Sequence, residues 1–418
     1  MPATEDTDLP VTVPLTEPAD GVPPVCETPA QLDAAAAALA AGTGPVAVDA
    51  ERASGFRYGQ RAYLVQLRRA GAGTVLVDPV ALPDLSLLQQ ALDGTEWVLH
   101  AADQDLPCLA GVGLVPAALF DTELASRLLG RQRVGLAAIV AEELGFALAK
   151  EHSAADWSTR PLPEAWLRYA ALDVELLVEL RERLSEQLAS AGKLEWAHQE
   201  FEHVRTAPPS PPKTDPWRRV AGATAVRSPR GLAVLRELWQ AREDEARRRD
   251  RAPGRVLPNA ALVAAAQAQP RTTAELVALP PFAGKGTRRH ARTWQEAITR
   301  ALALPEEQLP PRRPPVAPGS LPAPRSWPER NPAAAARLDA VRTAVRARAE
   351  ELQLPQENLL SPELQRQLAW HAPDDAAPDL VADLLLERGA RPWQVELLHG
   401  PLAGVLAASA EESQTSHG

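Results

Sequence analysis

Residues 45–52 read PVAVDAER, and this short run determines how the first part of the chain folds. Its first four residues are small, β-branched or apolar, which is typical of a buried strand. Asp49 and Glu51 end the strand, and side chains two residues apart lie on the same face. Two carboxylates on one face of a buried strand repel each other unless a cation lies between them. Taken alone, however, the pattern is more often that of acids that cap a turn.

Further strands and helices follow from the spacing of the apolar residues. The segments that predict strands are 45–50, 61–68, 74–79 and 96–101. The segments with helical spacing are 29–41, 84–92, 122–130, 135–144 and 163–188. Three consecutive strands followed by alternating helices and strands predict an α/β fold with a mixed sheet flanked by helices.

Acidic side chains recur at two later positions. In LHAADQDL, residues 99–106, Asp103 is placed as the N-cap of a helix and Asp105 falls in its first turn. In the predicted helix over 163–188, Tyr169 and Asp173 are one turn apart and share a face. A tyrosine hydroxyl beside a carboxylate is able to position a water for attack on phosphorus. Taken singly, each pattern is also typical of a helix-capping acid or of a packed tyrosine.

Four carboxylates in this order form a stronger signal than any one of them. Oxygen ligands suit Mg²⁺ or Mn²⁺ rather than zinc, and the chain has no CxxC pair. Two such ions can activate a water and stabilise the leaving oxygen of a phosphodiester.

Charge is distributed unevenly along the 418 residues, whose net charge is −10. Residues 25–204 carry 14 Lys and Arg against 25 Asp and Glu, whereas residues 205–300 carry 19 against 8. An acidic first half beside a basic middle suggests cation binding in one and polyanion binding in the other. A coding bias explains the excess of Arg over Lys, but it does not explain the clustering.

Proline-rich and acidic segments mark the predicted domain boundaries. We expect a disordered acidic tail, two proline-rich linkers and a C-terminal tail, at residues 1–24, 206–216, 304–332 and 406–418. Three blocks remain, which we name the first block (25–205), the middle block (217–303) and the last block (333–405). The middle and last blocks are both helical. Their patterns match at an offset of 102 residues, with Asn259 and Ser361 as equivalent N-caps, which predicts two divergent copies of one small domain.

The first block resembles the ribonuclease D family of DEDD 3′-to-5′ exonucleases, in its tyrosine branch. The matching segments are VDAERASGFRYGQRAYLVQL (48–67), LHAADQDL (99–106), ADWSTRPLP (155–163) and YAALDVELL (169–177). The resemblance implies an RNase H-like fold and a mechanism that uses two Mg²⁺ or Mn²⁺ ions. It implies as catalytic residues Asp49, Glu51, Asp105, Tyr169 and Asp173, with the four carboxylates as metal ligands. Ala50 departs from the family's usual threonine, and we expect its side chain to face away from the metals.

The middle block resembles the helicase-and-RNase-D C-terminal (HRDC) domain through ARRRDRAPGRVLPNAAL (246–262) and PFAGKGTRRH (281–290). The last block resembles a second, more divergent copy. Arginines near a glycine-rich helix start suit phosphate. The candidate nucleic-acid-binding residues are Arg247, Arg248, Arg251, Lys285, Arg288, Arg289 and Arg292. The alternative is a solvated face of an arginine-rich protein.

The resemblance implies RNA 3′ ends, such as those of tRNA precursors, as the substrate. Cys26 and Cys108 cannot make a disulfide framework, and no run of about 18 apolar residues exists. We therefore expect a cytoplasmic protein without a membrane partner, and a monomer. Two alternatives stay open: a 3′-to-5′ DNA exonuclease of repair type, and a catalytically inactive RNA-binding protein. The second is disfavoured because none of the five catalytic positions is lost.

Overall fold

The computed structural model describes residues 12–148, 152, 154–209, 211–313, 319–373 and 375–415. The strands are β1 Val13–Leu15, β2 Val25–Cys26, β3 Thr43–Arg52, β4 Ala62–Ala70, β5 Gly73–Val77, β6 Glu96–Leu99, β7 Ala118–Asp121 and β8 Phe146–Leu148. The α-helices of the first block are α1 Pro29–Ala41, α2 Ser86–Ala91, α3 Leu106–Ala110, α4 Thr122–Leu128, α5 Leu136–Leu144, α6 Glu164–Glu175, α7 Leu177–Ser190 and α8 Leu194–Thr206.

The rest of the described chain is helical. The middle block contains α9 Pro229–Arg248, α10 Pro253–Val256, α11 Asn259–Ala268, α12 Thr273–Ala278, α13 Lys285–Arg289 and α14 Ala291–Ala303. The C-terminal part contains α15 Trp327–Arg330, α16 Pro332–Glu351, α17 Gln356–Leu359, α18 Pro362–His371, α19 Pro378–Glu387 and α20 Pro392–Thr415. Among these described helices, none combines the length and the apolar character needed to span a membrane.

A six-stranded sheet forms the centre of the first block, in the order β2-β5-β4-β3-β6-β7. Strand β3 pairs antiparallel with β4 and parallel with β6, which confirms the predicted mixed sheet. Its apolar residues Val46, Ala47 and Val48 are buried, as expected for a strand covered on both faces. The register places Asp49 opposite Gln66, so these two side chains lie on the same face of the sheet.

The long helix predicted over 163–188 is two helices in the structure. The backbone leaves the helical conformation at Leu176, and α6 ends there before α7 begins. This break allows α6 to pack across β3, β4 and β5, while α7 packs against β6 and α4. The break therefore gives the segment that carries Tyr169 and Asp173 an orientation of its own.

The predicted disordered tail over 1–24 is wrong for its second half. Strand β1 pairs in parallel with β8, and Glu17 forms a salt bridge of 2.8 Å with Arg168. The Ala19 N–H donates to Glu175 at 3.2 Å. Acidic composition predicted disorder, but these groups have partners about 150 residues away, which composition cannot reveal. Residues 1–11 lie outside the described residues.

The last block is not a separate module on a linker. Most of its buried apolar residues belong to the same hydrophobic core as those of the first block, while Ala334, Leu338 and Ala369 form a smaller cluster with Trp327. The rings of Trp196 and Trp393 stack with centroids 5.0 Å apart, and the Trp393 indole N–H donates to Glu200 at 2.8 Å. At Gly130 the approach is so close that a Cβ would lie 2.5 Å from the Gln353 carbonyl oxygen. The two blocks therefore fold as one packed unit.

The ends of this block also differ from the prediction. Trp327, in the predicted linker over 304–332, is fully buried, and α15 and two 3₁₀ turns lie in the same segment. Helix α20 continues to Thr415, into the predicted tail over 406–418. Residues 314–318 and 416–418 lie outside the described residues.

The middle and last blocks begin with matching helices. Helices α9, α10 and α11 have 20, 4 and 10 residues, and so do α16, α17 and α18, which start 103 residues later. Ser361 caps α18 by accepting from the Leu364 N–H. Asn259 is not an N-cap, because it is the first residue of α11 and accepts instead from Arg242. The duplication itself stays a prediction.

Trp393→Ala tests whether the last block shares its core with the first. The indole is 1% exposed, so its loss should lower the free energy of unfolding by about 3–5 kcal/mol, measured by urea denaturation. Leu386→Ala is the control, because that side chain is 46% exposed and its loss should cost less than about 0.5 kcal/mol. Equally small effects of the two substitutions would contradict the shared core.

Candidate active site

Three carboxylates meet at the end of the central strand. One oxygen each of Asp49, Glu51 and Asp173 lies within 4.8 Å of the other two. Asp49 and Glu51 come from β3, and Asp173 comes from α6, which packs across that strand. The structure therefore brings together three of the four carboxylates that the sequence identified, from positions more than 120 residues apart.

The fourth carboxylate, Asp105, has a different partner. Its side chain lies 3.4 Å from the Arg52 guanidinium, which also donates to the Gln104 carbonyl at 2.7 Å. Asp105 is buried, and its charge still interacts with those of Asp49 and Glu51. Sequence reasoning missed Arg52, although it directly follows Glu51.

Burial and mutual repulsion make these acids hard to ionise. Burial and the neighbouring Asp49, Asp173 and Asp105 charges raise the pKa of Glu51 to about 10. Burial and the Asp49 charge likewise raise the pKa of Asp105 to about 8. The pKa values of Asp49 and Asp173 are also raised, chiefly by burial. A cation among these groups would relieve both the repulsion and the cost of burial.

Asp121 holds the turn that carries Asp105. Its carboxylate accepts from the N–H groups of Ala101 and Ala102, at 3.1 and 2.8 Å, and also caps α4. Ala101 adopts a left-handed φ of 58° there. The predicted N-cap Asp103 lies inside the resulting 3₁₀ turn and makes no capping hydrogen bond. The turn thus depends on a strand-end aspartate that the sequence analysis did not single out.

A buried ion pair anchors the segment that precedes α6. The Arg160 guanidinium binds both oxygens of Asp78, at 2.6 and 2.8 Å, and donates to the carbonyls of Tyr63 and Trp157. Burial alone would raise the pKa of Asp78, but the Arg160 guanidinium and the N–H groups of Val80 and Ala81 together outweigh it and lower that pKa. Arg160 lies within the ADWSTRPLP segment, but its partner could not be inferred from spacing.

Tyr169 stands beside the acid cluster. Its ring lies 6.4 Å from that of the buried Trp157, and its hydroxyl interacts with the Asp173 carboxyl, one turn away. Burial and the charges of Asp173, Glu51 and Asp49 raise the pKa of this hydroxyl well above its usual value. Tyr169 therefore keeps its proton and acts as a hydrogen-bond donor at any ordinary pH.

The site fits a divalent cation in its donor set. Its ligand atoms are all carboxylate oxygens, which suit hard cations such as Mg²⁺. On the same face, the fully buried Gln66 opposite Asp49 has no hydrogen-bond partner for either amide atom. A buried amide without a partner is costly, so Gln66 adds to the local destabilisation beside Asp49.

The candidate nucleic-acid-binding residues fall into two groups. Arg247 and Arg248 pair with Asp244 and Glu245 of their own helix, and Arg247 also donates to the Tyr58 hydroxyl. Arg292 pairs with Glu296. The exposed residues without such a pair among those described are Arg251, Lys285, Arg288 and Arg289. Their role in nucleic-acid binding stays a prediction.

Family models match all three blocks. The matching families are described as 3′-5′ exonuclease (residues 24–189), HRDC domain (231–298) and 3′ to 5′ exonuclease C-terminal domain (320–406). The last match differs in its description from the second HRDC-like copy that the offset predicted.

Known proteins resemble the chain over most of its length. Ribonuclease D of Gluconacetobacter diazotrophicus is 34% identical over 275 residues, which are 63% of this chain and 68% of that protein. Alignments with other curated relatives span 56–72% of the relative's length. A crystal structure of a protein from Bifidobacterium adolescentis has a TM-score of 0.84 and 38% identity, and covers 95% of this chain and 100% of that one.

Escherichia coli RNase D, described as an exoribonuclease involved in structured RNA processing, has a TM-score of 0.66 and 28% identity. That match covers 92% of this chain and 98% of the E. coli structure. The chain belongs to the ribonuclease D family, with an exonuclease domain of mixed-sheet fold followed by an HRDC domain.

Asp49→Asn tests the electrostatic cost of the cluster in the metal-free protein. A carboxyl whose pKa is higher in the folded state than in the unfolded state destabilises the fold once the pH exceeds its pKa in the unfolded state. The full destabilisation is reached when the pH exceeds its pKa in the folded state. At pH about 8 in EDTA, the Asn variant should therefore be more stable by on the order of 1–3 kcal/mol, in denaturant unfolding. The gain should shrink as the pH falls toward about 4.

The exposed Asp93 provides the matched control, since Asp93→Asn removes the same charge away from the site. Its stability should follow that of the wild type at every pH. Added Mg²⁺ should stabilise the wild type and the control more than Asp49→Asn. A destabilised Asp49→Asn protein at high pH in EDTA would contradict the assigned repulsion.

Proposed function

We propose that the chain is a 3′-to-5′ exoribonuclease that hydrolyses phosphodiester bonds at RNA 3′ ends with the help of divalent ions. The observation that carries the proposal is the approach of the Asp49, Glu51 and Asp173 carboxylates to within 4.8 Å of one another. Acids so close together serve no packing purpose, because their repulsion and partial burial lower the stability of the metal-free fold. The family membership supplies the reaction type.

The metal ligands are Asp49, Glu51, Asp105 and Asp173, and the ions are two Mg²⁺ or Mn²⁺. Bound ions would lower the pKa of an attacking water and stabilise the leaving oxygen. The chain itself supplies four carboxyl groups, whose ionised form bound cations would favour, with the Arg52 guanidinium 3.4 Å from Asp105 beside them. That guanidinium would add positive charge beside the acids and could attract a substrate phosphate there.

Tyr169 orients the attacking water. The ring packs in the same apolar cluster as Trp157, and the raised pKa keeps the hydroxyl protonated beside Asp173. A protonated hydroxyl can donate a hydrogen bond to a water oxygen, but it cannot take a proton from that water. Tyr169 therefore aligns the water, and proton transfer falls to the carboxylates.

The physiological substrates in this proposal are the 3′ ends of structured RNAs, such as tRNA precursors, in the cytoplasm. The E. coli relative described as acting in structured RNA processing supports this substrate class. The protein acts as a monomer in this proposal, since one chain holds all five catalytic residues. A 3′-to-5′ DNA exonuclease is the alternative, because the acid cluster alone does not distinguish ribose from deoxyribose.

Tyr169→Phe removes only the hydroxyl. If this group aligns the water, kcat should fall by roughly 10²–10⁴-fold, because a positioned donor is lost. Binding of Mg²⁺, followed by calorimetry, should change little, since Tyr169 is not a ligand. An unchanged kcat would leave Tyr169 as a packing residue beside Trp157.

A digestion panel tests the reaction and the sugar preference together. The wild type should shorten RNA from its 3′ end in Mg²⁺ but not in EDTA, and should act on RNA faster than on DNA of the same sequence. Asp49→Asn should lose on the order of 10³-fold or more in rate, whereas Asp93→Asn should lose nothing. Faster digestion of DNA than of RNA would favour the DNA exonuclease. Full activity in EDTA would exclude a role of these carboxylates as metal ligands.

A further inference from the structure

A basic cleft lies where the loop after β3 meets the HRDC domain. It encloses roughly 290 Å³, and its lining consists of Phe56, Arg57, Asp156, Arg249, Arg251 and Arg255. We call this feature the arginine cleft. Four of its six lining side chains are guanidinium groups, although the first block as a whole is acidic.

Backbone contacts between the two domains form the cleft. The Ala252 N–H donates to the Phe56 carbonyl at 2.9 Å, and Arg255 donates to the Gly55 carbonyl at 2.7 Å. The Arg255 guanidinium also lies 4.0 Å from the centre of the Phe56 ring. Because these contacts join residues about 200 positions apart, the cleft is built by the docking of the HRDC domain.

The charges in the arginine cleft are only partly balanced. Arg57 lies 3.6 Å from Asp250, and Arg249 lies 3.5 Å from Glu245, which Arg248 also shares. Arg251 is exposed and has no partner among the described residues. Several guanidiniums in one small cleft repel each other, and an anion with several oxygens would satisfy their forked donors.

The cleft adjoins the acid cluster. Phe56 belongs to the same group of packed side chains as Tyr169 and Trp157. Asp156, in the cleft wall, directly precedes Trp157, whose ring lies 6.4 Å from Tyr169. The chain also connects the two features directly, because the loop that carries Arg57 begins two residues after Glu51. A strand whose 3′ end lies at the acids therefore has the cleft within reach.

We propose that the arginine cleft binds backbone phosphates of a single-stranded RNA segment upstream of the nucleotide being removed. This inference rests on the proposed function, because it assumes an RNA 3′ end at the acid cluster. A volume of roughly 290 Å³ is too small to hold a duplex, so the bound segment in this proposal is single-stranded. Recognition through phosphate rather than base edges makes the binding independent of sequence.

The test is binding in EDTA, so that hydrolysis does not interfere. The double variant Arg249→Gln/Arg251→Gln should bind a hairpin with a single-stranded 3′ extension on the order of 10-fold or more weakly per arginine. The slope of log affinity against log salt should flatten by about two units. Arg271→Gln is the matched control, since it removes an exposed charge of the same domain that does not line the cleft.

Comparison with a blunt hairpin distinguishes binding in the arginine cleft from non-specific electrostatic attraction between the protein and RNA. The double variant should bind the blunt hairpin as well as the wild type does, because no single strand reaches the cleft. Equal losses on both RNAs, or no loss on the extended one, would overturn the proposal. Circular dichroism should show that the variant is folded, and the single variant Arg251→Gln, whose side chain has no described partner, provides a second test.

Digestion of the extended hairpin by the wild type in Mg²⁺ tests the proposed function separately. A wild type that digests this RNA, combined with a double variant of undiminished affinity, would refute the cleft and leave the nuclease function intact. A wild type that binds the RNA through the cleft but never shortens it would refute the nuclease function instead.

Discussion

The repulsion among Asp49, Glu51 and Asp173 is the constraint on which the rest of the structure depends. Folding brings these carboxylates within 4.8 Å of one another in a largely buried place, where the pKa of each is raised. The apolar residues of β3 and the packing of α6 must supply enough stability to hold them there. In the first block, the stability of the hydrophobic core therefore offsets the unfavourable repulsion within the acid cluster. A bound cation would reduce that repulsion.

Residues around the acid cluster hold in place the segments that carry its carboxylates. Asp121 holds the turn before Asp105 with backbone hydrogen bonds, and the Asp78–Arg160 pair fixes the segment before α6. These contacts lie outside the cluster of Asp49, Glu51 and Asp173. They nevertheless fix the turn before Asp105 and the segment before α6. Because side chains that hold a cation must be kept within narrow limits of distance, such supporting contacts would help to position any ion bound by the cluster.

Much of this arrangement was predictable from sequence, because it depends on local periodicity. The alternation along β3 placed Asp49 and Glu51 on one face, and the helical spacing placed Tyr169 one turn from Asp173. The Arg160–Asp78 pair joins residues 82 positions apart, and the Arg391–Glu200 pair joins residues 191 apart. Contacts at such separation leave no periodic signal. For the same reason, the sequence predicts the last block as a separate domain after a linker, although its core is continuous with that of the first block.

Arginines of the HRDC domain either hold the domain against the first block or remain free to bind an anion, and one guanidinium cannot do both fully. Arg247 donates to the Tyr58 hydroxyl and Arg255 to the Gly55 carbonyl, so part of the positive charge holds the domain against the loop after β3. The charge that docking leaves free, at Arg251 above all, faces the cleft beside the acid cluster. A docked domain places its positive charge at a fixed position next to repelling carboxylates. A domain on a flexible linker would instead spread the same charge over many positions, few of them next to the acid cluster.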